Sequence, residues 1–109
     1  MTYNSDSHLV VIPTYNEIEN IRLFLDELLE FNISVLIVDD NSPDGTGQVV
    51  EKLASSSSKL HLLKRSGKLG LGSAYRDGFL WGLNKKFSFM VQMDADFSHR
   101  FNDLDNILN

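Results

Sequence analysis

Four short apolar runs alternate along the chain with amphipathic stretches. The runs are His8 to Ile12, Val35 to Val38, Leu60 to Leu63 and Phe87 to Met93, and polar residues follow each of them. Short apolar runs that end in this way are typical of strands buried on both faces of a parallel sheet. We therefore predict four parallel strands.

The stretches between the runs have the spacing of amphipathic helices. One helical face in the first stretch is apolar throughout and consists of Ile18, Ile21, Leu25, Leu28 and Leu29. Further helices are predicted over residues 48–54 and about 73–83, and a fourth is expected to begin near Phe101. Strand and helix alternating four times predict an α/β fold, a doubly wound and mainly parallel sheet of the Rossmann-like, nucleotide-binding type.

Composition and charge narrow the classes of function. The 109 residues are 42% hydrophobic and 23% charged, which suits one globular domain. The net charge is −5, whereas nucleic-acid-binding proteins typically carry a basic surface. In an acidic protein, the binding of an anionic ligand would need a metal ion or a local group of basic residues. The sequence contains no cysteine, which excludes disulfides, thiolate metal sites and a cysteine nucleophile.

Polar segments occupy the positions where the predicted strands end. They cover residues 13–17, 39–46, 64–72 and 94–96. Ligands of open parallel sheets bind beyond the carboxyl ends of the strands, where the strand order reverses. We therefore expect the four segments to meet at one rim of the sheet and to form the functional site there.

The acidic residues among them indicate a divalent cation. Asp94 and Asp96 are two positions apart, a spacing that directs both carboxylates to one side of a strand end. Oxygen ligands of this kind suit Mg²⁺ or Mn²⁺ bound together with a substrate phosphate. Asp39 and Asp40 end a neighbouring strand, and an uncompensated group of acids would carry repulsion that a cation relieves. The alternative is that Asp94 and Asp96 only cap the turn that follows.

The second strand end offers a candidate nucleotide contact. Asp40 is placed to accept hydrogen bonds from a ribose or a base edge. The neighbouring segment, Ser42 to Thr46, is predicted mainly to form a turn and to cap the next helix.

The glycine-rich segment 67–72 matches neither the P-loop nor the dinucleotide-binding pattern. Three basic residues lie in or beside it, Lys64, Arg65 and Lys68. Next to a helix N-terminus, such a segment is a candidate to hold part of a nucleotide diphosphate. The alternative is a surface loop without a ligand.

Four segments are recognisable as motifs: VIPTYNE at 11–17, IVDDNSPDGT at 37–46, KLGLGSAY at 68–75 and MDADFSH at 93–99. Together they resemble the family 2 glycosyltransferases with the GT-A fold. The last three are more specific to the branch of that family that transfers mannose to dolichyl and other polyprenyl phosphates.

The resemblance implies a role for individual positions. The nucleotide-sugar contacts are expected to be Pro13, Tyr15, Glu17, Val38, Asp40, Lys68, Asp94, Ala95 and Asp96. Of these, Val38 and Asp40 are expected to line the base and ribose pocket. Asp94 and Asp96 are the expected catalytic residues, and Asp96 and Ser98 the expected metal ligands.

The reaction implied is the transfer of a hexose, with mannose from GDP-mannose favoured, to a polyprenyl or dolichyl phosphate. It inverts the anomeric carbon, depends on Mg²⁺ or Mn²⁺, and takes place at the cytoplasmic side of a membrane surface. Residues 1–109 are expected to be the nucleotide-sugar-binding part of a glycosyltransferase domain that continues beyond Asn109, so that this piece alone is inactive.

Two alternatives remain at this point. One is another family 2 transferase that uses UDP-glucose or UDP-GlcNAc, because the base-selecting residues are not decisive. The other is a phosphoacceptor receiver domain, which also gathers acidic residues around Mg²⁺ at the rim of a doubly wound sheet.

Overall fold

Strands and helices alternate strictly through residues 4–67 and 70–95, the part of the chain that the computed structural model describes. The elements are β1 (His8–Thr14), α1 (Ile21–Leu28), β2 (Ser34–Asp39), α2 (Thr46–Ala54), β3 (Leu60–Lys64), α3 (Leu71–Asn84) and β4 (Phe89–Gln92). The four predicted strands and the first three predicted helices are confirmed. The helix predicted near Phe101 lies outside the described residues.

The four strands form one parallel sheet in the order β3-β2-β1-β4. The chain moves outward from β1 to β2 and β3, and then returns to the other side of β1 to form β4. In register, Val10 of β1 pairs with Val35 of β2 and with Val91 of β4. The strand order therefore reverses between β1 and β4, which confirms the doubly wound fold predicted from the sequence.

Alternate residues of the strands build two apolar layers, one on each face of the sheet. Val10, Ile12 and Ile37 belong to the layer that also contains the buried residues of α1 and α2. Leu9, Val11, Leu36 and Val38 belong to the opposite layer, which α3 covers through Ala74. Burial on both faces explains why the strand sequences are continuously apolar rather than alternating.

The packing of α3 against the sheet depends on two glycines. A Cβ atom built on Gly78 would lie closer than 3.0 Å to the side chain of Val11, and one built on Gly82 would lie 2.5 Å from the sulfur of Met90. With no side chain at these positions, the helix backbone approaches the strands directly. α3 is the longest of the described helices at 14 residues, and none of them is long and apolar enough to cross a bilayer.

All three helix starts differ from the sequence prediction, and α2 begins at Thr46, two positions before the predicted start at residue 48. α1 begins at Ile21 and not at Ile18; residues 18–20 form a turn, in which Ile18 is exposed and donates its backbone N–H to the Asp44 side chain. α3 begins at Leu71, two positions earlier than predicted, directly after Gly70, whose φ of +100° suits a residue without a Cβ.

Candidate functional site

A cleft of about 240 Å³ opens at the carboxyl ends of β1 and β4, where the strand order reverses. It is lined by Pro13, Thr14, Tyr15, Glu17, Asp40, Gly70, Leu71, Ala74, Asp94 and Ala95. Each of the four polar segments at the strand ends contributes to this lining. The structure thus brings these segments together at one rim.

Six of the residues singled out in the sequence line this cleft: Pro13, Tyr15, Glu17, Asp40, Asp94 and Ala95. Val38 does not, because its side chain is fully buried in the layer beneath α3. Lys68, Asp96 and Ser98 lie outside the described residues.

Four further residues line the cleft, Thr14, Gly70, Leu71 and Ala74. Gly70 and Leu71 belong to the glycine-rich segment predicted as a candidate diphosphate contact, and Thr14 belongs to the polar segment 13–17. Ala74 was not predicted to line the site, and its place inside the motif KLGLGSAY at 68–75 was the available signal.

The loop after β1 is fastened to the loop after β2. Three consecutive backbone N–H groups of the first loop donate hydrogen bonds to side-chain oxygens of the second. The pairs are Asn16 with Ser42 (3.0 Å), Glu17 with Thr46 (2.9 Å) and Ile18 with Asp44 (3.1 Å). These bonds fix the backbone that carries the cleft residues Tyr15 and Glu17.

The capping role predicted for the segment Ser42 to Thr46 is confirmed only for Asp44. The N-cap residue of α2 is Gly45, at φ +95°, but the Asp44 carboxylate accepts the backbone N–H of Thr46, the first residue of the helix. Asp44 also accepts the Thr46 hydroxyl, and the Thr46 hydroxyl oxygen in turn accepts the backbone N–H of Glu17. The oxygens of this segment bind the neighbouring loop and one another, which the local sequence alone does not indicate.

Acidification is expected to weaken the fold through Asp44. Burial alone would raise the pKa of Asp44, but the hydrogen bonds from Thr46 and Ile18 outweigh it and hold the pKa below its usual value. A carboxylate with a lowered pKa in the folded state contributes stability that is present above its unfolded pKa and is lost as the pH falls through the folded one. We expect the free energy of unfolding to fall below about pH 4, as measured by urea unfolding across the acid range.

The variant Asp44→Asn is expected to be less stable at neutral pH and to show a shallower acid dependence. Asp6, an exposed residue before β1, provides the control Asp6→Asn, which removes one charge without touching this loop. If the free energy of unfolding falls with decreasing pH equally in Asp44→Asn and in the unsubstituted protein, Asp44 is not the source of the acid dependence.

Asp39 stabilises the rim from within. Only 2% of the residue is exposed, and its carboxylate accepts hydrogen bonds from the Thr14 hydroxyl at 2.7 Å and from the Ser42 hydroxyl and backbone at 2.7 and 3.0 Å. These contacts join the end of β1 to the loop after β2. Asp39 is a structural carboxylate rather than a ligand-binding one.

Asp40 is paired with an arginine. Its two carboxylate oxygens accept hydrogen bonds from Nε and Nη2 of Arg65 at 2.7 and 2.9 Å, and the side chains are 9% and 5% exposed. The hydrogen bonds to Asp40 are the main cause that raises the pKa of Arg65, with a further contribution from Asp77. Arg65 therefore stays charged, and Asp40 faces the cleft as one half of a buried ion pair.

These contacts correct two expectations. Arg65 was a candidate to hold a diphosphate, but its donors are directed at Asp40, Ser73, Asp77 and the carbonyl of Gly70. The expected repulsion among acids does not arise from Asp39 and Asp40, because protein groups already compensate both carboxylates. Of these four acids, only Asp94 and Asp96 are then left as candidates to hold a cation.

Asp94 is the exposed carboxylate at the end of β4. One of its oxygens accepts a hydrogen bond from the Tyr75 hydroxyl of α3 at 3.0 Å. Within residues 4–67 and 70–95, no three histidine, aspartate or glutamate side chains form a metal-binding group. Mg²⁺ and Mn²⁺ are often held by one or two carboxylates together with substrate phosphates, and Asp94 fits that donor set.

The chain is similar in sequence to proteins of known family. Residues 9–109 match the glycosyl transferase family 2. The chain is 44% identical over 104 residues to polyprenol monophosphomannose synthase of Mycolicibacterium smegmatis, an alignment that covers 93% of this chain and 39% of that protein. It is 46% identical over 102 residues to undecaprenyl-phosphate mannosyltransferase of Micrococcus luteus, covering 92% of this chain and 42% of that protein. The chain thus spans about two fifths of the length of these relatives.

A solved structure also resembles the chain. The mannosyltransferase PcManGT from Pyrobaculum calidifontis, in complex with GDP-Man and Mn²⁺, superposes with a TM-score of 0.64 at 29% identity. The match covers 73% of this chain and 25% of that one.

Proposed function

The chain belongs to glycosyl transferase family 2, and we propose that it is the nucleotide-sugar-binding part of an enzyme that transfers mannose from GDP-mannose to a polyprenyl phosphate. One observation carries the proposal: Tyr15, Glu17, Asp40 and Asp94 converge on a single cleft at the switch point of the sheet. The names of the two relatives and the ligands of the solved neighbour support it.

The nucleoside of the donor would bind beside Asp40. Each oxygen of this carboxylate accepts one N–H from Arg65, and each has a lone pair left for a ribose hydroxyl or a base N–H. Pro13, Tyr15 and Glu17 form the neighbouring wall, on the backbone fixed by the loop after β2.

The diphosphate would bind at the end of β4, next to Asp94 and Ala95. We assign Asp94 and Asp96 as the catalytic residues, Asp96 and Ser98 as metal ligands, and Lys68 as a further contact to the donor. A bound Mg²⁺ or Mn²⁺ supplies positive charge against the charge that develops on the departing diphosphate.

In the transfer, an ionised phosphate oxygen of the acceptor attacks the anomeric carbon of mannose. The bond from that carbon to the diphosphate oxygen breaks, its electron pair leaves with GDP, and the configuration inverts. Because the acceptor oxygen is already ionised, the protein needs no strong general base. The residues of the cleft hold and orient the donor.

The lipid acceptor also suggests where the enzyme works. A polyprenyl phosphate resides in a bilayer, so we propose that the cleft meets its acceptor at the cytoplasmic surface of a membrane. The receiver-domain alternative is wrong, because residues 9–109 match a glycosyltransferase family. A donor with another base or sugar is the alternative that the following experiment separates.

Calorimetry of the full chain with Mn²⁺ and a panel of GDP- and UDP-sugars tests the proposal. We expect GDP-mannose to bind at least about 10-fold more tightly than UDP-glucose, a difference of about 1.4 kcal/mol, and binding to be lost on chelation of the metal. A preference for UDP-glucose or UDP-GlcNAc would establish the alternative donor. Absence of binding to every sugar nucleotide would contradict the assignment.

A further inference from the structure

The Arg65 side chain lies between three elements of the sheet rim. It follows β3, its acidic partner Asp40 follows β2, and its other side-chain partners, Ser73 and Asp77, belong to α3. Its backbone N–H also donates to the carbonyl of Asp39 at 2.8 Å. The guanidinium is therefore held at the point where the loop after β2 meets the start of α3.

Every N–H of this guanidinium has a hydrogen-bond partner. Nε and Nη2 bind the two oxygens of Asp40, Nη2 also binds the carbonyl of Gly70 at 3.1 Å, and Nη1 binds Ser73 at 2.7 Å and Asp77 at 3.0 Å. These contacts use all five donors of an arginine. A lysine provides the charge but not the planar fork, so it cannot reproduce the set.

Two of the partners are walls of the cleft. Asp40, after β2, lines the cleft, and so does Gly70, with Leu71 and Ala74 after it at the start of α3. The Arg65 side chain, which is itself absent from the cleft lining, connects these two parts of the lining by hydrogen bonds. Arg65 can therefore affect a ligand in the cleft only indirectly, through the positions of Asp40 and Gly70.

We propose that Arg65 is a positioning residue for the sugar nucleotide: it fixes the Asp40 carboxylate and the first turn of α3 in the geometry that the donor binds, without touching the donor. The inference rests on the proposed function and adds a residue that determines donor affinity. Without the fork, the Asp40 carboxylate rotates about its last side-chain torsion, and its free lone pairs no longer face the nucleoside in one orientation.

The charge of Arg65 contributes as well. The Arg65 guanidinium forms ion pairs with the carboxylates of Asp40 and Asp77. A diphosphate bound in the cleft would add negative charge nearby, which the positive charge of Arg65 would partly offset. The variant Arg65→Lys keeps the positive charge and removes the fork, whereas Arg65→Met removes both. The two variants therefore separate the geometric from the electrostatic contribution.

Calorimetry on this chain, and steady-state kinetics on the enzyme of which it is proposed to be a part, test the proposal. For Arg65→Lys we expect KM and Kd for GDP-mannose to rise about 10-fold or more, in the range seen when a partner of a ligand-binding group is removed. The turnover number is expected to stay within about twofold and KM for the lipid acceptor to stay unchanged. Arg65→Met is expected to raise KM further.

Two controls distinguish positioning from general destabilisation. Arg76→Lys makes the same change at an exposed arginine of α3, whose side chain is 71% exposed. Val50→Ala weakens the apolar layer on the opposite face of the sheet and lowers the melting temperature away from the cleft. Both are expected to leave KM for the donor unchanged.

The outcomes are separable. An unchanged donor KM in Arg65→Lys, or an equal rise in Val50→Ala, overturns the positioning role while the proposed function stands. If the unsubstituted protein binds no sugar nucleotide, the proposed function fails, and the inference with it. If Arg65→Lys does not fold, the double variant Ser73→Ala with Asp77→Ala removes the two side-chain contacts of Arg65 to α3 and leaves its bonds to Asp40 and Gly70 in place. It is expected to raise the donor KM about threefold, and an unchanged value contradicts the proposal.

Discussion

Replacing Asp94 with asparagine is expected to reduce mannosyl transfer about 100-fold or more in the enzyme of which this chain is proposed to be a part, the scale seen when a group that stabilises transition-state charge is removed. Asp94 is an exposed carboxylate at the end of β4 that lines the cleft and fits the donor set of a divalent cation. An asparagine keeps the shape and the hydrogen bond from Tyr75 but loses the charge that attracts the cation. The measurement is the turnover number at saturating donor, together with its dependence on Mn²⁺ concentration.

The matched control for this prediction is Asp26→Asn, which removes the same charge from an exposed position on α1. It should retain the activity of the unsubstituted protein. Asp96→Asn should behave like Asp94→Asn, since the two acids are assigned to one site. If Asp94→Asn keeps more than about a third of the turnover with the same Mn²⁺ dependence, Asp94 has no part in catalysis.

Replacing Gly78 with valine is expected to cost about 3 kcal/mol of folding free energy, the upper part of the usual range for overpacking a core. A Cβ atom at this position already meets Val11 more closely than 3.0 Å and lies 3.2 Å from Val38, and valine adds two further methyl groups. Since both strand residues are fully buried, α3 has to move away from the sheet. The melting temperature should fall by roughly 10–20 °C, as measured by thermal unfolding.

Gly72 gives the contrasting result on the same helix. Within residues 4–67 and 70–95, nothing outside the adjacent backbone lies within 4 Å of a Cβ built there, so we expect Gly72→Ala mainly to improve helix propensity. It is expected to raise stability by about 0.5–1 kcal/mol. If Gly78→Val and Gly72→Ala change the free energy of unfolding by similar amounts, close packing at Gly78 does not control the position of α3.

The fold was predictable because the strands carry their signal in one short window each. Val35 to Val38 is apolar and rich in β-branched residues, and it lies within β2 as observed. The start of α1 was not predictable in this way. Ile18 continues the apolar stripe of the helix, but a side chain from a distant loop binds its backbone N–H. Contacts between segments 26 positions apart have no local signature.

The cleft was predictable only in part, and the acids at the end of β2 show the reason. Asp39 and Asp40 are adjacent in sequence, yet successive side chains of a strand point to opposite faces. Asp39 contacts Thr14 and Ser42, whereas Asp40 is held by Arg65 and lines the cleft. Which of two neighbouring acids faces a ligand depends on the elements packed on each face.

Arg65 illustrates the same limit for basic residues. A cation in a glycine-rich segment is equally compatible with a phosphate and with a buried carboxylate. Arg65 binds a carboxylate because, in the folded chain, Asp40 after β2 and Asp77 of α3 both lie within hydrogen-bond distance of it.

The central position of β1 has a consequence for the order in which the molecule assembles. Residue 10 meets residue 35 on one side and residue 91 on the other, so the second pairing closes a much longer loop. Loop-closure entropy grows with the length of the closed segment, which makes the docking of β4 the costlier step. We therefore expect the wall that carries Asp94 to be completed last, and we expect a sugar nucleotide that contacts both Asp94 and Asp40 to stabilise the pairing of β4 with β1.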